Sequence, residues 1–369
     1  MNGDADKPGI EFIEEPDLPL STVQTGILAE QWIAPTTTRY NVPIAFAIKG
    51  ELDEEALRSA LNWLIQRHEI LRTVYRDGDM GPIQAVAAHV PDILRTLFID
   101  TGAGTDDGTE FRDLAVREAE HVFDLRTELP VRVCLARSTE RQAALILVFH
   151  HIAVDGWSIR LLLDELGDAY NAFRDKAVPI LPEVELQYAD WGAWQQDQIA
   201  TAQARGNLEG LVDRIKDLPF DLGLPARHAL DAHSDSNNGA EMVQFDLDTA
   251  MVARAEAVAL REGVSLYAML AGTYALVIGR LVDRDRLAIG TPVALRDRAE
   301  LHQTVGCFVN TAILELRLDA SRGRHAYLTH VRDAVVDTLD TRDIPFEQVM
   351  RARAKLSLDN VEVVRSFFN

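Results

Sequence analysis

Six consecutive apolar residues, Ala144-Leu145-Ile146-Leu147-Val148-Phe149, run directly into His150-His151-Ile152-Ala153-Val154-Asp155-Gly156-Trp157-Ser158. A run this short and this apolar reads as a central strand covered on both faces, because a strand with one wet face would alternate. Downstream, Ile159, Leu162, Leu163, Leu166, Ala169, Tyr170 and Phe173 fall on one helical face, with Ser158 as the expected N-cap. The segment is therefore read as strand, tight loop and helix, with two histidines at the strand end. A strand ending in imidazole, carboxylate and glycine can hold an acid-base group rigidly at the mouth of a cavity.

The same reading extends along the chain. Apolar residues from Ala56 to Ile65 recur at helical spacing behind Asp53, the expected N-cap, with Glu54 and Glu55 favourably placed in the first turn. Ile70 to Tyr75 reads as extended, Thr101 to Thr109 as a loop and Phe111 to Phe123 as a helix. Val131 to Ala136 and Ala143 to Phe149 read as strands. Pro179 and Pro182 break the pattern, and Tyr188 begins an aromatic helix carrying Trp191 and Trp194, whose rings are read as packing residues. Beyond a polar loop at His233 to Gly239, helices are expected over Asp248 to Glu262, Ser265 to Leu281 and Arg324 to Leu339. Strands are expected over Leu287 to Val293 and Asn310 to Leu318. Strands and helices in both halves predict two α/β sandwich lobes: an acidic lead-in over 1–17, a first lobe over 18–178 and a second over 179–369. A chain of 369 residues is long for one core, which agrees with that division.

The formal net charge of -21 is spread along the chain and disfavours nucleic acid and anionic membrane surfaces as partners. With no apolar stretch long enough to span a bilayer and no signal peptide at Met1-Asn2-Gly3-Asp4, a cytoplasmic location is expected. The two cysteines, Cys134 and Cys307, lie in separate apolar stretches with no metal-ligand spacing around them, and read as buried thiols.

Neighbouring strand residues face opposite ways, so His150 and His151 should diverge, one packing and the other facing a cavity. That divergence argues against a metal pair. Ser158 reads as a cap and not a nucleophile, because no Gly-x-Ser-x-Gly elbow surrounds it. His151 is the candidate acid-base group. Asp155 is expected to orient a histidine or pair with an arginine, and Gly156 to permit a sharp turn that brings an N–H to a developing oxyanion.

At these residues the chain resembles the condensation domains of nonribosomal peptide synthetases, members of the chloramphenicol acetyltransferase-like superfamily with the signature His-x-x-x-Asp-Gly. Six segments resemble the family's motifs in order. They are Pro19 to Gln24, Arg67 to Tyr75, His150 to Ser158, Tyr188 to Trp191, Ile289 to Val293 continuing through Arg296 to Thr311, and Asp343 to Glu347. The resemblance implies two such lobes in a V-shaped pseudodimer with a tunnel between them. It implies a donor and an acceptor peptidyl carrier protein presenting thioesters on phosphopantetheine arms, an adenylation domain as a further partner, and no cofactor bound by the domain itself. His151 is implied at the reaction centre, with His150 and Asp155 mainly structural and Gly156 lining the centre through its backbone. Arg67 or Arg72 is the implied salt-bridge partner of Asp155, and Trp157, Ser158 and Asn310 are candidate tunnel-lining residues. The run Tyr40-Asn41-Val42-Pro43 and the Trp157-Ser158 ending resemble the subtype that joins two L-configured residues.

The chain also departs from the family pattern. Thr341 stands where a histidine is usual, Cys307 where an aromatic residue is usual and Leu295 where glycine is usual. No seventh motif is recognisable from Lys355 to Asn369, so the resemblance implies a second lobe short of its terminal elements. Two rival functions follow: a freestanding acyltransferase using coenzyme A or carrier thioesters, and a non-catalytic module that recruits carrier proteins or tailoring enzymes.

Overall fold

The computed structural model describes residues 18–79, 81–88, 90–99, 108–223, 242–319, 321, 323–356 and 364–369. The expected lead-in, most of the 101–109 loop and the 233–239 loop lie outside the described residues. Contacts divide the chain into two compact units. The first runs to Thr201 and takes in Arg296–Val309, and the second comprises Ala202–Leu295 and Asn310–Asn369. The break at 201/202 falls later than the prolines near 179, because the helix beginning at Tyr188 packs within the first unit.

The first unit contains β1 (Leu18–Pro19), α1 (Thr22–Ile33), β2 (Asn41–Lys49), α2 (Glu54–Arg67), β3 (Thr73–Gly78), β4 (Gly81–Val86) and β5 (Leu94–Phe98). These are followed by α3 (Thr109–Ala119), β6 (Val131–Thr139), β7 (Gln142–His150), α4 (Gly156–Arg174) and α5 (Tyr188–Ile199). The main sheet has the order β2-β7-β6-β5, and the apolar run is its inner strand β7, antiparallel to both neighbours. Its burial is continuous from Ala143 to His150, as a strand covered on both faces requires. Leu147 and Phe149 of β7, with Val131 and Val133 of β6, meet Leu61, Leu64 and Ile65 of α2 and Leu162 and Leu166 of α4. The edge strand β2 carries Pro43 opposite Val148, an edge being where a sheet tolerates a residue without an N–H.

Asp53 caps α2 as expected, accepting from the Ala56 N–H at 3.0 Å. Residues Glu69 to Arg72 form a 3-10 turn where extended chain was expected, with the Thr73 hydroxyl donating to the Glu69 carbonyl at 2.7 Å. Only from Thr73 does the strand begin. α3 stops at Ala119, short of the expected Phe123. Its following chain is gripped by Asn41, whose Nδ2 donates to the Ala119 and His121 carbonyls at 2.7 Å each.

The second unit contains α6 (Ala202–Ile215), α7 (Thr249–Glu262), α8 (Leu266–Val282), β8 (Arg286–Ala294), β9 (Val309–Arg317), α9 (Arg324–Asp340) and α10 (Phe346–Leu356). Its segments fall within two residues of the expected strands and helices from Asp248 to Leu339. β8 and β9 pair, and alternation sorts their side chains. Leu287, Ile289, Leu314 and Leu316 join a core with α7, α8 and α9, whereas Ala288 and Ile313 join one with α6 and α10. The unit is thus helix on both faces of a sheet, the sandwich the sequence implied. No single helix among the described residues is long and apolar enough to cross a membrane.

A buried charge cluster joins α2 to α4. Glu165 Oε2 lies 2.6 Å from His68 Nε2 and accepts from Arg67 Nε at 3.1 Å. Burial raises the Glu165 carboxyl, but His68 and Arg67 outweigh it and hold the group below the ordinary carboxylate range. Its stabilisation is present at neutral pH and is lost as pH falls through that lowered value. Glu165→Ala leaves Arg67 and His68 without their buried acceptor and should cost about 3 kcal/mol, read from urea unfolding at neutral pH. A loss within about 0.5 kcal/mol would show the cluster to be solvated.

Candidate functional site

β7 delivers His150 to its last position and His151 to the turn beyond. Both backbones are tied down: the His150 N–H donates to the Pro130 carbonyl at 2.9 Å, and the His151 N–H to the Tyr40 carbonyl at 2.8 Å. The two rings then diverge. His150 is 1% exposed, edge-on to Phe123 at 5.6 Å, and its Nδ1 accepts from the Ile152 N–H at 3.2 Å. Burial, then the neighbouring His151, pulls its pKa from the ordinary 6.5 to about 3. A neutral ring that accepts at Nδ1 carries its proton on Nε2. His150 is therefore a buried, uncharged support, out of a substrate's reach. His151 is only half-buried, and its Nδ1 lies 3.4 Å from Cys307 Sγ.

Asp155 corrects two expectations. It, and not Ser158, is the N-cap of α4, taking the Ser158 N–H on Oδ1 at 2.7 Å. Its ionic partner is Arg296, not Arg67 or Arg72, with the Arg296 Nη2 at 3.2 Å from both carboxylate oxygens. Arg67 is committed to Glu165 and the Pro182 carbonyl, with Trp63 under its guanidinium at 5.3 Å. Arg72 is committed to the Ala87 carbonyl and, at 3.4 Å, to Glu69. Both lie where α2 and its 3-10 turn meet those partners, which leaves Asp155 to the only arginine of the 296–309 segment that reaches it.

Arg296 is 4% exposed at its side chain and uses all three of its nitrogens. Besides Asp155, it donates to the Leu301 and Thr304 carbonyls and the Ser158 hydroxyl at 2.7 Å each, and lies 3.9 Å over the Phe308 ring. Burial lowers its pKa, against the Asp155 carboxylate that supports its charge. The Phe308 N–H donates to Asp155 Oδ2 at 3.0 Å. Ser158 is wholly buried, donating to the Gly306 carbonyl at 2.7 Å and accepting from its N–H at 3.0 Å. It is a strut and not a lining residue.

A second polar chain closes on the same segment. The Tyr188 hydroxyl donates to the Cys307 carbonyl at 2.7 Å, which leaves Ser21 Oγ to donate to Tyr188 Oη at 2.9 Å. Ser21 in turn accepts from the Gln24 N–H, and Gln24 Nε2 donates to Tyr75 and Gln84. Gly306 is required here, because a Cβ on it would stand 1.9 Å from the Tyr188 ring. Four separated sequence segments, around Ser21, His151, Tyr188 and Cys307, thus meet at one place within the first unit.

Gly156 does not supply the expected sharp turn. It is the first residue of α4, without positive φ, and a Cβ there would meet nothing within 4 Å. It is exposed, and its N–H is one of those a helix leaves without an intrahelical acceptor. The missing side chain keeps the helix start open. Trp157, 53% exposed, donates from Nε1 to the His302 carbonyl at 3.0 Å. Asn310 belongs to the second unit and is buried, donating to the Arg342 and Ile344 carbonyls at 2.7 Å each and accepting from the Phe346 N–H. It secures the turn before α10, a role in keeping with that of Asn41 in the first unit. Sequence reasoning missed Arg296 and Cys307 as neighbours of Asp155 and His151. The available signal was the arginine pair Arg296 and Arg298 just after the apolar strand expected over Leu287 to Val293.

Comparison with known proteins shows the family and the fold. Residues 14–364 match the family model described as Condensation domain. The chondramide synthase of Chondromyces crocatus is 32% identical over 333 residues, a match that covers 90% of this chain and 8% of the synthase. A four-domain nonribosomal peptide synthetase bound to AMP and glycine superposes with a TM-score of 0.81 at 20% identity, over 95% of this chain and 26% of that one. The X-domain from teicoplanin biosynthesis superposes with a TM-score of 0.78 at 23% identity, over 94% of this chain and 76% of that one.

Two measurements check the site's energetics. Arg296→Met and Asp155→Leu each strand a buried charge and should each cost about 3–5 kcal/mol, while the double substitution costs clearly less than their sum. Additive losses in urea unfolding would show that the pair is not coupled. For His150, the unfolded chain binds its proton first, so stability falls as pH drops from about 6.5 towards about 3, by up to about 1.4 kcal/mol per unit. His150→Asn keeps an acceptor for the Ile152 N–H without titrating. The stability gap between wild type and this variant should therefore narrow between about pH 7 and about pH 4. A constant gap would contradict the burial of a neutral ring.

Proposed function

The chain belongs to the condensation-domain family, and on that premise we propose that it joins a donor acyl or peptidyl thioester to the amine of an acceptor aminoacyl thioester. Both substrates ride on phosphopantetheine arms of carrier proteins, with an adenylation domain supplying the activated residues. The chain spans 8% of the chondramide synthase and 7% of a linear gramicidin synthase subunit, so those partners lie within assemblies much longer than itself.

The chemistry needs little from the protein beyond placement. The neutral acceptor amine attacks the donor carbonyl carbon, the C–N bond forms, the C–S bond breaks, and the amine's proton leaves with the donor thiolate as a thiol. The observation that carries the reading is the contrast between the partners of the motif. His150, Asp155 and Ser158 are buried and spent on holding the loop, whereas His151 stays half-buried and Gly156, at the start of α4, exposed. His151 positions the amine or eases its proton away, and the Gly156 N–H faces the oxygen that gains charge. The subtype joining two L-configured residues is favoured by the Tyr40-Asn41-Val42-Pro43 run. That run borders the histidines directly, Asn41 opposite His150 and the Tyr40 carbonyl on the His151 N–H.

The test is mass spectrometry of the acceptor arm after incubation with both loaded carriers. Lengthened acceptor is expected, and His151→Ala should cut its initial rate by about 100-fold without changing the melting temperature. Transfer from acyl-coenzyme A but not from a carrier would favour the freestanding acyltransferase. Carrier binding with no product, unchanged by His151→Ala, would favour the recruitment module.

A further inference from the structure

The proposed role of His151 leaves open which ring nitrogen carries the proton, and a neighbour from the 296–309 segment bears on this. Cys307 is 1% exposed, and its Sγ stands 3.4 Å from His151 Nδ1. Both ends of that contact are held by backbone. The Cys307 carbonyl accepts from Tyr188, its two neighbours Gly306 and Phe308 are bound to Ser158 and Asp155, and the His151 N–H is bound to Tyr40. The thiol stands where the family resemblance leads one to expect an aromatic ring.

We propose that the Cys307 thiol donates its hydrogen to Nδ1 of His151 and thereby holds the ring in the tautomer that carries its proton on Nε2. Sulfur is a poor acceptor, and an imidazole nitrogen lone pair is a good one. The S–H to N arrangement gives the weak thiol donor a strong acceptor, whereas an N–H aimed at sulfur would meet only a weak one. With Nδ1 turned to a buried thiol, Nε2 is the nitrogen a substrate reaches, and it offers a hydrogen. His151 then has no free lone pair for the amine's proton, so of the two roles above it keeps placement, as a donor to the thioester oxygen while the C–N bond forms. The amine's proton passes to the departing thiolate, and no net charge is created. Cys307 is a positioning residue, touching the imidazole and not the substrate.

The experiment is two-bond 1H–15N spectroscopy of the resting protein with labelled histidine, the His151 signals being assigned by their loss in His151→Ala. Wild type and Cys307→Ser should both show Nδ1 at a shift of the unprotonated type and Nε2 at one of the protonated type, whereas Cys307→Ala should show a tautomer mixture. Condensation should slow about fivefold in Cys307→Ala, the factor for one weak hydrogen bond, and recover in Cys307→Ser. A protonated Nδ1 in wild type, or His151 signals unchanged in Cys307→Ala, would overturn the proposal. The spectra need no substrate. A domain inactive with loaded carriers would therefore sink the functional reading and leave the tautomer result standing.

Discussion

The ion pair between Asp155 and Arg296 is the constraint on which the site depends. Its two side chains are 141 positions apart in the chain and each is 4% exposed. Taking both charges out of water costs several kcal/mol per ion, and the attraction between them repays this only when the remaining hydrogen-bonding positions are filled. Here they are filled, by the Ser158 and Phe308 N–H groups on the carboxylate and by three carbonyls and a hydroxyl on the guanidinium. The 296–309 segment consequently cannot drift from the His-His-Asp-Gly loop without stranding a buried charge. Gly306, Cys307 and Phe308 inherit their positions from that pair.

Rigidity on one side permits openness on the other. His150, Asp155 and Ser158 are withdrawn from solvent and spend their polar atoms on structure, which fixes the loop together with the fully buried Ile152, Ala153 and Val154. His151 and Gly156 then stand at the accessible surface of that rigid support, one with an imidazole and the other with an unpartnered class of backbone donor. An adjacent pair of histidines achieves this division because successive residues at a strand end point to opposite sides. In the proposed reaction, where a neutral amine needs placing more than activating, a fixed hydrogen-bond group serves better than a mobile base.

Local pattern was legible wherever local physics decides. The continuous apolar run reads as an inner strand, and β7 is one. Asp53 ahead of two glutamates and a helical apolar stripe could be read as a cap, and it is. Where two local solutions compete, the pattern was less decisive. Ser158 and Asp155 are both good caps three residues apart, and Asp155 prevailed because α4 begins at Gly156, while Ser158 is drawn to Gly306. Residues 69–72 turn instead of extending, because the Thr73 hydroxyl offers the Glu69 carbonyl a partner that a strand would not.

By itself, the sequence determined the helices and strands over Phe111 to Phe173 and Asp248 to Leu339, the family, and the histidine that stays available, since all three are written in periodicity, capping chemistry and motif spacing. Only the tertiary structure decided that Asp155 belongs to Arg296 and not to Arg67 or Arg72, and that Cys307 stands beside His151. Ion pairs and side-chain contacts depend on distances of a few ångströms between residues far apart in the chain. Those distances are set by how the sheet and its helices pack, and no local pattern carries them.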